Sequence, residues 1–229
     1  MLRVRDLGRL DTWMRRAYQV FAPVHDPIVA AALPLLQGLR ETEQVARAVM
    51  VDRLDVAGLT PHPDRPRRIL DVGVGTGRLL PYLERATPRG TPLELWGVDI
   101  SPGMMGRARR IRTRTAPKLL LADVHRLPFS DATFDRVVQI GGVGGFSDPT
   151  RAVQEMIRVT TPGGRLLLVD EQLDPNRRHS LAHRAAFRLL TAYQPEATAP
   201  TPLLGDQVTD VRDEQLSRFF YCLSFRRRP

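Results

Sequence analysis

Cys222 is the only cysteine in 229 residues, which excludes an intramolecular disulfide and leaves too few thiolates for a Cys-based tetrahedral metal site. Lysine is as scarce. Lys118 stands alone among 34 basic residues, so positive charge is carried by arginine, which resists deprotonation and grips planar anions bidentately. No apolar run approaches the ~20 residues needed to cross a bilayer, and the first residues lack the apolar stretch and small-residue cleavage site of a secretory signal. A soluble protein in a reducing, cytoplasmic setting is the expectation.

The hydrophobic fraction of 42% is enough for a substantial core, and the length suits one domain of ordinary size. A formal net charge of +9 permits contact with nucleic acid or an anionic membrane surface, although uniform use of arginine also fits a compositional bias of the genome.

Leu10, Trp13, Met14, Ala17, Tyr18 and Phe21 recur at helical spacing and predict an amphipathic helix that stops before Pro23. Asp26-Pro27 reads as an N-cap with proline at the first helical position, and a further helix is expected from about Thr42 to Val56. The region 1–60 is thus expected to be a helical cap, closed off by the proline-rich joint Thr60 to Pro66. Beyond it, short apolar runs at Ile69 to Val72, Leu93 to Val98, Leu119 to Leu121, Phe134 to Ile140 and Leu166 to Val169 alternate with helical segments. Ser101-Pro102 and Asp148-Pro149 mark helix starts. Five alternations of strand and helix predict a parallel sheet covered on both faces. A helix over His179 to Tyr193 and two last strands, Gln207 to Val211 and Phe219 to Phe225, then predict an antiparallel pair at the sheet's edge. There is no internal repeat.

The first strand runs directly into Asp71-Val72-Gly73-Val74-Gly75-Thr76-Gly77, after which Arg78-Leu79-Leu80 is expected to open a helix. Glycines permit a tight turn and let a ligand approach the backbone beside a helix N-terminus. Taken alone, the loop signals little more than a turn. Asp99 ends the second strand, where a carboxylate can accept both ribose hydroxyls of an adenosine-containing cofactor. Asp123 ends the third, where an acid can accept the adenine amino group. Dinucleotide binding uses the same devices, but the third glycine of Gly-x-Gly-x-x-Gly is replaced by Arg78.

Asp-x-Gly-x-Gly-x-Gly at the first strand, an acid ending the second, Ala122-Asp123 at the third and Pro162-Gly163-Gly164 before the fifth resemble the class I S-adenosylmethionine-dependent methyltransferases over about residues 66–171. Tyr18 to Asp26, Asp99-Ile100-Ser101-Pro102 with Met104 and Met105, Leu127-Pro128-Phe129, Phe134-Asp135 and Glu155 to Pro162 are similar, more narrowly, to the ubiquinone/menaquinone C-methyltransferases and bacterial phospholipid N-methyltransferases. The resemblance implies a Rossmann-like, doubly wound, mostly parallel seven-stranded sheet with an antiparallel C-terminal strand. It divides 1–229 into the helical cap, a cofactor core at 66–171 and a C-terminal helix with edge hairpin at 172–229. It further implies that Gly73, Gly75 and Gly77 lie under the methionine part of S-adenosylmethionine, with Asp71 at its ammonium and Asp99 at its ribose. Ile100 and Met104 would bracket the adenine, Asp123 and Val124 meet its edge, and Gln139, Ile140, Gly141 and Gly142 line the path toward the methyl.

A sulfonium is already a good leaving group, so positioning and exclusion of water should dominate catalysis. Candidates for a base or an acceptor contact are His25, where the related families often carry tyrosine, and the strand-end acids Asp170 and Glu171. His125 reads as a loop-positioning residue. His179 and His183 are one helical turn apart but lack a third ligand, so no metal is expected. The arginines at 107, 109, 110, 112 and 114 read as a solvated helix face. No base-methyltransferase motif and no RNA-binding module is visible, so the expected acceptor is a small molecule or a lipid rather than nucleic acid. The first amphipathic helix, with Arg9, Arg15 and Arg16 beside Trp13, offers a route for peripheral membrane contact. A non-catalytic sensor or partner subunit that keeps the cofactor loop and binds S-adenosylmethionine is the alternative function, and the oligomeric state is not legible.

Overall fold

The computed structural model describes residues 43–191, 194 and 197–229, with side chains from residue 45 onward. The first amphipathic helix, most of the expected cap and His25 lie outside the described residues. The described chain runs α1 (Glu43–Arg53), β1 (Arg67–Val72), α2 (Leu80–Ala86), β2 (Leu93–Asp99), α3 (Pro102–Ala108), β3 (Lys118–Leu121), β4 (Phe134–Ile140), α4 (Pro149–Val159), β5 (Thr160–Glu171), α5 (Leu181–Leu190), β6 (Val208–Gln215) and β7 (Phe220–Arg227).

All seven strands form one sheet in the order β3-β2-β1-β4-β5-β7-β6. Strands β1 to β5 are mutually parallel, and β7 is antiparallel to both β5 and β6. The period-2 alternation of side chains sorts each strand between two apolar layers. Leu70, Val72, Val137, Leu166 and Leu168 join Ala152, Val153, Met156 and Ile157 of α4 on one face. Ile69, Val138, Leu167 and Val169 join Met50 and Val51 of α1, Leu80 and Leu83 of α2 and Met105 of α3 on the other. Burial on both faces is what near-continuous apolar runs such as Leu166 to Val169 require.

The expected helix starts are realised through their caps. Ser101 Oγ accepts from the Met104 N–H and the Asp148 carboxylate from the Arg151 N–H, each followed by proline in the first turn. Three details differ from expectation. α2 begins at Leu80 rather than Arg78, because Gly77 takes a positive φ of 80° and Pro81, which lacks an N–H, must fall in the first turn. The β3–β4 crossover carries only the short 3₁₀ turn Val124–Arg126, capped by Asp123, so the third alternation lacks an α-helix. Pro128 cannot extend that turn, and Phe129 instead packs edge-on against Trp96 and Phe134 at 5.5 and 4.8 Å. Finally, α3 ends at Ala108, so Arg107 alone of the arginine series is helical and Arg109, Arg110, Arg112 and Arg114 lie exposed beyond it.

At the amino ends of the strands, Asp135 gathers β1 to β4. Its carboxylate accepts from Arg65 at 2.8 and 2.9 Å, from Arg67 at 2.7 Å and from the Arg68 backbone N–H at 2.8 Å. Burial opposes its charge, yet these donors hold the carboxyl below the usual range.

Candidate functional site

Strand β1 pairs with β2 on one side and β4 on the other, so the chain leaves its carboxyl end in opposite directions. In open α/β sheets such a switch point opens a crevice in which ligands bind. The Gly73 to Gly77 loop sits at that point. The Val74 N–H donates to the Val98 carbonyl at 2.9 Å and the Gly77 N–H to the Val74 carbonyl at 2.8 Å, folding the loop back over the end of β2.

Gly73, Gly75 and Gly77 all have positive φ, at 68°, 54° and 80°, a region that side chains with a Cβ rarely adopt. Their surroundings differ. A Cβ on Gly77 would lie 3.1 Å from Ile111 Cγ1 and 3.2 Å from Ala108 Cα, whereas one on Gly73 would meet nothing within 4 Å. Gly77 is therefore bare for packing, while Gly73 presents bare backbone to open space.

Asp99 ties this loop to the next unit. One carboxylate oxygen accepts from the Gly75 N–H at 2.9 Å and the other from the Ser101 N–H at 2.7 Å. Ile100 follows it half-buried, and Met104, one turn on, is buried. Asp71 shares the α1–α2 face with Ile69 and is 4% exposed. Burial pushes its carboxyl up to about 7; Arg47 of α1 pulls it down and Asp99 adds to the rise. Arg47 had no signal in local sequence, because only the docking of α1 on the sheet brings it near.

Asp123 accepts from the His125 N–H at 2.9 Å and pairs with His125 Nδ1 at 2.6 Å, both through one oxygen. Burial raises this carboxyl and the two His125 contacts more than reverse the shift, leaving it below the usual range. His125 Nε2 accepts the Asp148 N–H at 3.3 Å, which assigns the ring hydrogen to Nδ1. His125 thus joins the β3 loop to the start of α4, as a positioning residue does, and Val124 is buried beside it.

At the end of β4, Gln139 is fully buried, and neither its amide nitrogen nor its oxygen has a hydrogen-bond partner among the described residues. Ile140 is half-buried and Gly141 exposed. The loop they enter is held by Asp170, one of whose oxygens accepts from the Gly142 and Gly144 N–H groups at 3.1 and 3.0 Å while the other accepts from Glu171 at 3.0 Å. Both Asp170 oxygens are thus taken up by backbone N–H groups, so its carboxylate organises backbone rather than facing a ligand. Glu171, on the opposite face, accepts from the Gln194 side-chain amide at 2.8 Å. A buried strand-end acid opposite Gly141-Gly142-Val143-Gly144-Gly145 was the available signal for the Asp170 clamp; Gln194 offered none.

The glycine loop, Asp71, Asp99, Asp123, Gln139 to Gly141 and Glu171 therefore share the carboxyl rim of the sheet. His179 and His183 do not converge on a common centre: His179 Nε2 pairs with the Asp174 carbonyl at 2.7 Å and His183 Nδ1 with Ser180 at the start of α5. Among the described residues, no three His, Cys, Asp or Glu side chains are grouped to hold a metal.

Residues 70–168 match the family model described as a methyltransferase domain. The chain is 36% identical over 125 residues to the demethylmenaquinone methyltransferase of Thermus thermophilus, a match covering 54% of this chain and 56% of that protein. It is 34% identical over 155 residues to the ubiquinone/menaquinone biosynthesis C-methyltransferase of Bordetella avium, covering 66% of this chain and 54% of that protein. The chain spans about half the length of the curated relatives it matches. Among solved structures, the phosphoethanolamine N-methyltransferase 2 of Haemonchus contortus, in complex with S-adenosyl-L-methionine, superposes with a TM-score of 0.71 at 12% identity, covering 98% of this chain and 61% of that one. An S-adenosylmethionine-dependent methyltransferase of Aquifex aeolicus gives 0.55 at 18% identity, with 83% and 95% covered. A [4+2]-cyclase gives 0.67 at 16% identity, with 93% and 96% covered. Likeness at that level establishes the fold, which hosts more than one chemistry. Residues 70–168 are thus similar to the methyltransferase domain, and the chain has the Rossmann-like fold that the Aquifex aeolicus S-adenosylmethionine-dependent methyltransferase shares.

Proposed function

We propose that this protein transfers a methyl group from S-adenosylmethionine to a small lipophilic acceptor, a quinone precursor in preference to a phospholipid head group. The observation that carries the reading is the bracing of the bare glycine loop by Asp99 at the switch point of the sheet, through Gly75 at 2.9 Å and Ser101 at 2.7 Å. Similarity to the demethylmenaquinone methyltransferase of Thermus and the ubiquinone/menaquinone C-methyltransferase of Bordetella supports a quinone-type acceptor.

The rim residues fit this cofactor. Gly73 and Gly75 leave backbone uncovered where a Cβ would meet no neighbouring side chain, and Asp71 is a buried carboxylate suited to an ammonium group. In this reading Gly73, Gly75 and Gly77 support the methionine part, Asp99 the ribose, and Ile100, Met104, Asp123 and Val124 the adenine. The unsatisfied amide of Gln139, with Ile140 and Gly141, borders the reacting end. When bound, S-adenosylmethionine supplies a methyl carbon already activated by its sulfonium. The protein's own part is then to align the acceptor and exclude water. Glu171, oriented by Gln194, and His25 are the candidates for removing an acceptor proton. The proposed acceptor is a small molecule or lipid and not nucleic acid, the proposed location is cytoplasmic, and residues 1–229 are proposed to act as one unit.

Calorimetry with S-adenosylmethionine, S-adenosylhomocysteine and NAD tests the cofactor; binding of NAD alone overturns the reading. Transfer of labelled methyl to demethylmenaquinone, set against phosphatidylethanolamine, tests the acceptor. Cofactor binding without transfer to any acceptor would favour the sensor.

A further inference from the structure

We propose that α5 is a docking surface for an anionic phospholipid bilayer. This rests on the proposed function only in that a lipophilic acceptor gives the protein reason to work at a membrane.

α5 spans Leu181–Leu190 and has no fully buried residue. At about 100° of rotation per residue, His183, Ala186, Phe187 and Leu190 share one side, and these are its partly buried positions. Phe187 lies 5.6 Å from the buried ring of Phe219, and His183 lies 6.3 Å from it. The opposite side carries Leu181, Ala185 and Leu189, a stripe at i, i+4 and i+8 whose leucines are 85% and 81% exposed. Isolated exposed leucines need no explanation, but two at this level on one helical stripe do. Arg184 and Arg188 run along one border of the stripe.

Charge selects the occupant. From Asp174 to Thr191 the chain has Arg177, Arg178, Arg184 and Arg188 against Asp174, and Asp174 is buried and paired with Arg177 at 2.9 Å. An exposed apolar stripe edged by arginine is the pattern of a helix that lies in the plane of an anionic lipid interface, its leucines among acyl chains and its guanidinium groups at phosphates. A second copy of the same basic face, or an arginine-rich segment of this chain, would bring like charges together. Position agrees. Glu171 pairs in register with Phe220, so Phe219 and the helix packed on it stand at the carboxyl rim of the sheet, the end that also carries the glycine loop. A lipophilic acceptor leaving the bilayer beneath α5 would meet that rim without crossing bulk water.

The test is co-sedimentation of the full chain with vesicles of phosphatidylcholine alone and of phosphatidylcholine with phosphatidylglycerol at roughly 2:1. The wild type should pellet with the anionic vesicles only and be released by high salt. The double variant Leu181→Ser/Leu189→Ser should lose about tenfold in bound fraction, and Arg184→Gln/Arg188→Gln should lose the preference for phosphatidylglycerol and the salt dependence. All three should bind S-adenosylhomocysteine equally. No pelleting by the wild type, or pelleting unchanged in both variants, overturns the proposal. So does a dimer in sedimentation equilibrium that the leucine variant dissociates while vesicle binding is absent. Loss of S-adenosylhomocysteine binding by the wild type would instead undo the proposed function and leave the vesicle result standing.

Discussion

Asp99 Oδ2 accepts the Gly75 N–H at 2.9 Å, so the acid ending the second strand braces the loop that leaves the first. Its other oxygen holds the Ser101 N–H, which makes one side chain a strut between the glycine loop and the start of α3. Replacing Asp99 by alanine should weaken S-adenosylhomocysteine binding at least tenfold and cost about 2–3 kcal/mol of stability, since two charge-assisted bonds are lost together. Calorimetry and thermal melting measure the two effects separately; unchanged affinity would remove Asp99 from the proposed site.

Asp71 makes stability and affinity respond oppositely to pH. Its folded-state value of about 7 stands above the ordinary 3.8, so between those values the native state keeps a proton that the unfolded chain has lost. Its contribution is full at low pH and falls as pH rises through about 7, by at most about 4 kcal/mol. Asp71→Asn should therefore melt higher than wild type at pH 8, with the advantage vanishing below pH ~4. Affinity for S-adenosylmethionine should rise with pH through 7 in the wild type, as the carboxylate forms, and stay low and flat in the variant.

The first and third glycines should fail in different ways. Gly77→Ala meets a strained φ and contacts of 3.1 and 3.2 Å with Ile111 and Ala108, and should cost about 2–3 kcal/mol. Gly73→Ala meets only the strain, about 1 kcal/mol, but should reduce S-adenosylhomocysteine affinity at least tenfold. Equal thermal losses with equal affinities would sink the distinction.

Asp170 should be detectable through the loop that it holds. Asp170→Ala strands the Gly142 and Gly144 N–H groups, so their hydrogen exchange should quicken and stability fall by about 3 kcal/mol. Protection that persists at both amides would show that the loop is held some other way.

Asp135 should govern the acid limb of the stability curve. Its carboxyl is held below the ordinary value, so its contribution is present above pH ~4 and is lost as pH falls through the folded-state value. Asp135→Ala should cost about 3 kcal/mol at pH 7 by leaving Arg65 and Arg67 unpaired, and much less near pH 3, as urea melts at the two pH values would register.

Most of the sheet was legible because its signals are local. Ile69 to Val72 and Leu166 to Val169 are apolar runs bounded by turn residues, and Ser101-Pro102 and Asp148-Pro149 announce helix starts within four residues. Local pattern failed where distant packing decides. The β3–β4 crossover stays a 3₁₀ turn because Phe129 is drawn into a cluster with Trp96 and Phe134. On the candidate site, Asp71, the glycines, Asp99 and Asp123 could be named from sequence because each occupies a strand end in a fixed order. Arg47 and Gln194 could not, since one reaches the rim by helix docking and the other from a loop 23 residues beyond Glu171. The Asp170 clamp lay between these cases, visible as a strand-end acid whose partners were not.

The order β5-β7-β6 also bears on synthesis. β6 leaves the ribosome before β7 but pairs only with β7, so on emergence it has no strand to join. β5 likewise keeps one edge open until Phe220 to Arg227 are free. Through that interval the nascent sheet stops at β5, with the backbone groups of Arg165 to Glu171 available to any passing strand. The sheet is completed only when β7 takes its place between β5 and β6, and a stall between residues 208 and 227 would leave a chain whose candidate rim has emerged but whose sheet edge is still adhesive.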